Sequence, residues 1–324
     1  MSHPISSRPC VAAVVVTYQR EKELARLLEC LSRSNTPITG GVFVADNAAS
    51  PATQELCTRS ALPVTWLPRD INNGPGPAWN TGIRAALTQP SVTHLLVLDD
   101  DVAPPPETLE VLLDALAKTG AAAAAPLLLD ENQTLWAFPE PVETPLRQVI
   151  RRVSTIEQCR VAFGSEPLQF CWATGACMLY AREALAETGP FREDFWMLGE
   201  DLELSMRVAA TLGGVFTART AVPHLPPPPV DPESHVIGHR LKFLALLQNL
   251  SYLAFHSPHS GHLRRYLAGN FKRYLRTEGC APGTLHDGWS AFWLGAICGQ
   301  PAGTGKSAIL RERVRRRLTA DLPA

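Results

Sequence analysis

The sequence predicts an α/β fold: a mostly parallel, doubly wound sheet followed by a helical C-terminal extension. Three observations predict it. Short apolar runs alternate with helical periodicities between residues 11 and 129, the pattern of successive βαβ units. Thr17, Asp46 and Asp99 each close one of these runs, and a parallel sheet gathers such strand ends on one edge. Beyond Pro232 the strand-like runs stop and only helical spacings remain.

Val11 to Val16 is a β-branched run and reads as a strand buried on both faces. It stops at Thr17-Tyr18-Gln19-Arg20, after which Leu24, Leu27, Leu28 and Leu31 recur at helical spacing. Gly41 to Asp46 is a second strand, and Ser50-Pro51 supplies an N-cap with proline at the first helical position. Pro63 to Leu67 predicts a third strand, Asn72 to Gly76 a turn, and Pro77 to Leu87 a helix. Leu95 to Leu98 is a fourth buried strand, and it runs straight into Asp99-Asp100-Asp101. Leu109, Leu112, Leu113 and Leu116 mark a helix over Glu107 to Lys118, and Ala121 to Leu129 gives a further strand. Residues 139–168 break the alternation with proline and charge, including Arg147, Arg151 and Arg152, and read as a partly helical insertion or flap.

Phe170 to Thr174 and Ala176 to Tyr180 predict two strands broken at Gly175, followed by a short helix over Arg182 to Thr188. Leu202, Leu204, Met206, Val208 and Leu212 predict a helix that Glu200-Asp201 opens, and Gly214 to Thr217 a last strand ahead of His224. Helices are then expected over Val236 to Phe255, His262 to Thr277, Gly283 to Cys298 and Ser307 to Leu322. The last of these puts Ile309, Leu310, Val314, Leu318 and Leu322 on one side and five arginines over much of the rest, an amphipathic basic helix.

Composition narrows the function. The 324 residues carry a net charge of -1, so no global field draws the protein to nucleic acid. Residues 262–324 are the exception, with eleven Lys/Arg against four Asp/Glu. The eight cysteines form no Cys-x-x-Cys pair; Cys30, Cys171, Cys177 and Cys298 read as reduced thiols in or near the core of a cytoplasmic protein. Residues 1–10 lack the apolar core of a secretory signal, and no apolar run reaches the roughly 18 residues of a membrane span.

The chemistry gathers at strand ends. Taken alone, an acidic triplet is more often a solvated turn than a metal site. Here the neighbouring strand ends add Thr17, Tyr18 and Arg20, a hydroxyl and guanidinium set suited to a nucleotide, and Asn73, Gly74 and Asn80 ahead of and within a helix start suited to phosphate. Asp99 and Asp101 offer hard oxygen ligands for Mg²⁺ or Mn²⁺. Two lookalikes are set aside. Gly299 to Ser307 misses the P-loop spacing by one residue, and His256, His259 and His262 lack carboxylate or thiolate partners for zinc.

In order along the chain, Val-Val-Thr-Tyr-Gln-Arg, Val-Ala-Asp-Asn-Ala-Ala-Ser, Asn-Asn-Gly-Pro-Gly-Pro-Ala-Trp-Asn-Thr-Gly, Leu-Asp-Asp-Asp and Gly-Glu-Asp-Leu-Glu-Leu resemble an inverting family 2 glycosyltransferase of the GT-A fold. The resemblance covers about residues 10–225 and looks closest to the galactofuranosyl- and rhamnosyl-type transferases. It implies a nucleotide-sugar-binding catalytic domain over residues 1–230 and a helical C-terminal region over 231–324. It further implies a nucleotide-sugar donor, UDP-linked first and dTDP-linked second, held by Thr17, Tyr18, Arg20, Asp46, Asn73, Gly74, Asn80, Asp99 and Asp100. Asp46 would accept a hydrogen bond from the base imide. Asp99, Asp101 and His224 would hold the cation on the diphosphate, and Asp201 would be the general base with Glu200 orienting the acceptor or sugar. Trp172, Phe195 and Trp196 would stack on the acceptor, a glycan or lipid-linked glycan.

The family often has a basic residue where Trp79 stands, so the cation carries more of the diphosphate here. The basic terminal helix raises peripheral contact with the inner face of the cell membrane, and a homo-oligomer stays open. A nucleotidyltransferase or sugar-nucleotide synthase would want a glycine-rich, lysine-bearing loop after the first strand, which Thr17-Tyr18-Gln19-Arg20 is not. A non-catalytic nucleotide-sugar binding module is the remaining alternative.

Overall fold

Val11–Thr17 (β1) lies at the centre of one half of the sheet. It pairs in parallel with Val42–Asp46 (β2) on one side and with His94–Asp99 (β4) on the other, and Val64–Pro68 (β3) extends the sheet beyond β2. The computed structural model describes residues 8–142, 153–228, 232–257, 263–278 and 282–320. Helices Glu21–Ser32 (α1), Pro51–Arg59 (α2), Pro75–Leu87 (α3) and Thr108–Thr119 (α4) alternate with the strands. Local chemistry sets their ends. The Ser50 hydroxyl accepts from the Thr53 N–H with Pro51 at the first helical position, and Gly120 closes α4 in the left-handed conformation at φ 69°. The buried leucines of α1 and α4 meet Val15, Leu96, Leu98 and Leu179 of the sheet in one apolar cluster.

The sheet departs from simple alternation after β4. Ala123–Leu129 (β5) follows in sequence but is not the neighbour of β4. Leu135–Ala137 (β6), Glu140–Pro141 (β7) and Leu168–Trp172 (β8) come next, and then Cys177–Ala181 (β9) inserts between β4 and β5, antiparallel to both. The order is β3-β2-β1-β4-β9-β5-β10-β8-β7, with β6 paired to β5. The central strands are thus mostly parallel within a mixed α/β sheet. A run buried on both faces looks the same in sequence whichever direction it takes, so the insertion of β9 left no signature.

The last strand is longer than its sequence suggests. Gly214–Pro223 (β10) runs ten residues, parallel to β5, with a register shift between Phe216 and Ala221. That bulge continues the strand past Thr217 and delivers His224 to its end. Within the 139–168 insertion, Ile156–Phe163 (α5) is a helix capped by the Thr155 hydroxyl; Arg147, Arg151 and Arg152 lie outside the described residues. Arg182–Thr188 (α6) and Glu200–Leu212 (α7) complete this part of the chain.

Contacts group the chain into two compact units. One comprises Met1–Asn72, Ala78–Pro190 and Leu204–Pro227; the other comprises Asn73–Pro77, Phe191–Glu203 and Pro228–Ala324. In the second, helices Pro232–His256 (α8), Leu263–Glu278 (α9), Pro282–Ala296 (α10) and Gly305–Ala320 (α11) pack together. Gly295 permits the close approach of α10 to α8, because a Cβ there would overlap the Gln248 carbonyl. The apolar side of α11 is not free: Leu310 and Val314 are buried, while Ile309 points outward at 71% exposure. Leu322 and His259 and His262 of the histidine loop lie outside the described residues. Cys298, expected near the core, is exposed just past the end of α10. Cys177 is enclosed in the sheet, and burial pushes its thiol up to about 12. Among the described residues no helix is long and apolar enough to cross a membrane.

Candidate active site

The acidic triplet follows a strand whose last apolar residue, Leu98, is fully buried. Asp100 and Asp101 are 3% and 4% exposed, so the triplet is not a solvated turn. Buried carboxylates need partners. Asp100 Oδ2 accepts from the Thr17 hydroxyl at 2.7 Å, and its Oδ1 accepts from Arg20 Nη1 at 3.1 Å. The same Arg20 nitrogen donates to Asp101 Oδ2 at 2.8 Å. Gln19, at φ 54°, makes the sharp turn between β1 and Arg20, a left-handed conformation costly for a side chain and typical of functional loops.

His224 is held beside the triplet by backbone pairing. The Leu225 N–H donates to the Asp101 carbonyl at 2.7 Å, the Ala103 N–H to the Pro223 carbonyl at 2.9 Å, and Val102 and His224 form an antiparallel bridge. Arg26 of α1 clasps both segments, donating to the Leu225 and Asp101 carbonyls at 3.1 and 3.4 Å. His224 Nε2 consequently lies 3.3 Å from Asp101 Oδ1. Asp99, Asp101 and His224 each present a donor atom, all within 4.8 Å of one another. His224 Nδ1 is buried without a hydrogen-bond partner, and the equally buried Asp101 Oδ1 faces the imidazole. Two carboxylates and an imidazole converging on one small volume fit a divalent cation.

Burial and neighbouring charges push the two buried carboxyls in opposite directions. Burial pushes the Asp100 carboxyl up to about 6, against the pull of Arg20 and Thr17. Burial acts the same way on Asp101, but the neighbouring His224 and Arg20 outweigh it and hold this carboxyl below the usual carboxylate range.

Asp46, the candidate for the base contact, is held within its own loop. It is fully buried, and its oxygens accept from the Ala48 N–H at 2.9 Å, the Ser50 N–H at 2.8 Å and the Trp66 indole at 3.2 Å. A carboxylate enclosed by its own loop fixes the β2–α2 turn. Asp46→Ala is therefore expected to lower unfolding free energy by roughly 2–4 kcal/mol in the absence of any nucleotide, because buried donors lose their acceptor. Urea unfolding checks this; unchanged stability with weakened donor binding would return the residue to base recognition.

Asn80 is buried within α3, and Trp79 donates its indole N–H to the Leu98 carbonyl at 3.2 Å, bracing β4 from beneath. Tyr18 is 46% exposed at the end of β1. Trp172 is buried at the end of β8.

The second unit holds the other acidic pair. Asn73 and Gly74 precede α3; at φ 103°, a Cβ on Gly74 would overlap the Trp196 carbonyl oxygen, so only glycine allows this approach. Leu198 and Gly199 both take positive φ, 63° and 99°, immediately before Glu200 opens α7. Asn249 of α8 holds that turn: its amide donates to the Met197 and Leu198 carbonyls at 3.1 and 2.7 Å and accepts from the Ala302 N–H at 2.8 Å. Glu200 is 4% exposed, while Asp201 is half-buried and accepts from the Leu202 N–H at 2.8 Å. Phe195 is fully buried, packed edge-on against Tyr252 at 5.9 Å, so it supports the loop and has no face for a sugar. Trp196 is half-buried with the Arg311 guanidinium over its ring at 4.6 Å.

Residues 12–189 match the family model described as glycosyl transferase family 2, more than half of the chain. The chain belongs to glycosyl transferase family 2. It is 26% identical over 274 residues to an N-acetylglucosaminyl-diphospho-decaprenol L-rhamnosyltransferase of Mycobacterium tuberculosis, an alignment covering 78% of this chain and 85% of the relative. Its fold resembles S. aureus TarS 1–349 in complex with UDP-GlcNAc at TM-score 0.59 and 16% identity, covering 96% of this chain and 88% of that one. It also resembles GalNAc-T7 with UDP, GalNAc and Mn²⁺ at TM-score 0.53 and 15% identity, covering 82% of this chain but only 56% of that one. At such identities the likeness to solved structures is one of fold, the GT-A type.

Three residues of this glycosyltransferase escaped sequence reading. Arg26 is one more cation on a polar helix face, and Asn249 stands beside Gln248 and Ser251 with nothing to set it apart. Trp136, in the hairpin strand β6, stacks on the His224 ring at a centroid distance of 4.0 Å and 23° between planes. Nothing in its short strand marked it out.

Proposed function

We propose that this glycosyltransferase is a divalent-cation-dependent, inverting enzyme that takes a sugar from a nucleoside diphosphate, UDP first and dTDP second, and passes it to a hydroxyl of a glycan or lipid-linked glycan. The observation that carries the reading is the convergence of Asp99, Asp101 and His224 donor atoms within 4.8 Å, with Asp101 Oδ1 buried against the imidazole. Support comes also from the UDP, UDP-GlcNAc and Mn²⁺ bound in the structural neighbours and from the lipid-diphosphate-linked acceptor in the relative's name.

Asp99, Asp101 and His224 would hold the cation, with Mn²⁺ or Mg²⁺ as the candidates. When bound, it supplies Lewis-acid stabilisation of the departing diphosphate. Arg20, already on Asp100 and Asp101, adds a fixed positive charge at the same place. Thr17 and Asp100 form a buried pair that orients the triplet. Asp201 takes the proton from the acceptor hydroxyl as its oxygen attacks the anomeric carbon and the diphosphate leaves, which inverts that centre in one step. Residues 1–230 carry the catalytic machinery in this reading, and Trp196 contributes to the acceptor surface, whereas Trp172 is buried.

A panel of nucleotide sugars tests the proposal, with binding read by thermal shift and hydrolysis by nucleotide release, each with Mn²⁺, Mg²⁺ or chelator. A UDP- or dTDP-sugar should raise the melting temperature only when the cation is present, and chelator should reverse it. No response to any donor with either metal would sink the reading.

A further inference from the structure

The second unit turns an aromatic stripe to solvent. Trp289, Trp293 and Ile297 follow at four-residue intervals along α10 and just past its end, and they are 57%, 58% and 54% exposed. Ile309 of α11 joins them: Trp289, Trp293, Lys306, Ile309 and Arg313 line one shallow groove. The stripe is fixed from behind. Phe271 and Phe292 hold the Trp289 ring at centroid distances of 5.3 and 5.5 Å, and Phe255 meets Phe292 edge-on at 5.8 Å. Single exposed apolar side chains are ordinary; a contiguous aromatic group rimmed by cations is not.

Cations outnumber acids around it. Lys306 and Arg313 are exposed at the rim, and Arg264 sits over the Phe255 ring at 5.2 Å. Of the acids nearby, Asp287 is fully buried with Arg313 at 3.6 Å, and Glu312 is paired with Arg316 at 2.7 Å. We propose that this face, centred on Trp289 and Trp293 with Lys306 and Arg313 at its rim, docks the protein on the surface of an anionic lipid bilayer. Indole rings suit the headgroup level, with an apolar body and one N–H donor, and the basic rim complements anionic headgroups. A second copy of the same face would bring cations against cations. The proposal goes beyond the transfer reaction and does not depend on it. It also moves the contact from the leucine side of α11, where Leu310 and Val314 are buried, to the tryptophans of α10.

Vesicle sedimentation of the full chain tests it, with phosphatidylcholine alone or with about one-third phosphatidylglycerol. Binding should be at least about fivefold greater on the anionic vesicles and should fall in roughly 0.5 M salt. Trp289→Ser with Trp293→Ser should reduce it about tenfold with the melting temperature unchanged. Should that pair melt early, Lys306→Glu with Ile309→Ser decides, since both side chains are exposed outside the packed rings. No binding to anionic vesicles, equal binding to neutral ones, or undiminished binding by the variants would overturn the proposal. So would light scattering that shows a dimer which these substitutions dissociate.

Discussion

Replacing Asp101 by asparagine is expected to remove the response of the protein to Mn²⁺ and to lower sugar transfer by about three orders of magnitude. The carboxylate is 4% exposed and shares with Asp99 and His224 a grouping whose donor atoms fall within 4.8 Å. Asparagine keeps the volume and one carbonyl oxygen but removes the negative charge that a hard cation is bound by. Several kcal/mol of leaving-group stabilisation would go with it. Mn²⁺ alone supplies a readout separate from activity. At about a hundred times its dissociation constant a specific ligand stabilises a fold by about 2.7 kcal/mol, seen as a raised melting temperature, and the variant should show no rise. Asp100→Asn is the matched control. Asp100 is committed to Thr17 and Arg20, so its loss should lower the melting temperature without metal yet leave the Mn²⁺ increment in place. An undiminished Mn²⁺ shift in Asp101→Asn would end the metal reading.

The strand that carries the triplet was legible because its physics is local. A run of four apolar residues meeting three carboxylates marks a buried strand and its end, whatever surrounds it. The parallel character of β1, β2 and β4 was legible from the alternation of strands with helices, which α1 marked with its own apolar stripe. What was hidden is what depends on partners far along the chain. The antiparallel insertion of β9 between β4 and β5 changes no residue type that periodicity could detect. The bulge in β10 that delivers His224 needs the register of β5 to appear at all. Asp46 has loop partners that the sequence did not show. A strand-end aspartate has the pattern of a ligand contact, but the Ala48 and Ser50 N–H groups and the Trp66 indole had taken its oxygens, and no motif records that. Phe195 likewise reads as a sugar platform in sequence and is fully buried in the fold.

Asp201→Asn is expected to lower kcat by about 10²–10⁴-fold while the donor KM stays within a factor of about three, the loss that removal of a general base produces. The choice of Asp201 over its neighbour rests on access. Glu200 is 4% exposed, and its Cγ lies 3.7 Å from where a Cβ on Gly76 would stand, so it is packed against the 73–77 segment within its own unit. Asp201 is half-buried at the first turn of α7, where the helix N-terminus favours an anion and the Leu202 N–H fixes Oδ1. A base has to reach the hydroxyl it deprotonates, and of the two only Asp201 has surface to offer. Asn249 makes the position reproducible by holding the Met197 and Leu198 carbonyls, so the strained turn before the pair cannot relax. Glu200→Gln should then act mainly on packing, with a lower melting temperature and a loss in kcat of about tenfold. Steady-state kinetics on both variants separates the roles. If Glu200→Gln carries the large loss in kcat and Asp201→Asn keeps near-normal turnover, the base is the buried acid and exposure was the wrong guide. If Asp201→Asn alone loses turnover while still binding donor, the chemistry sits on the half-buried aspartate.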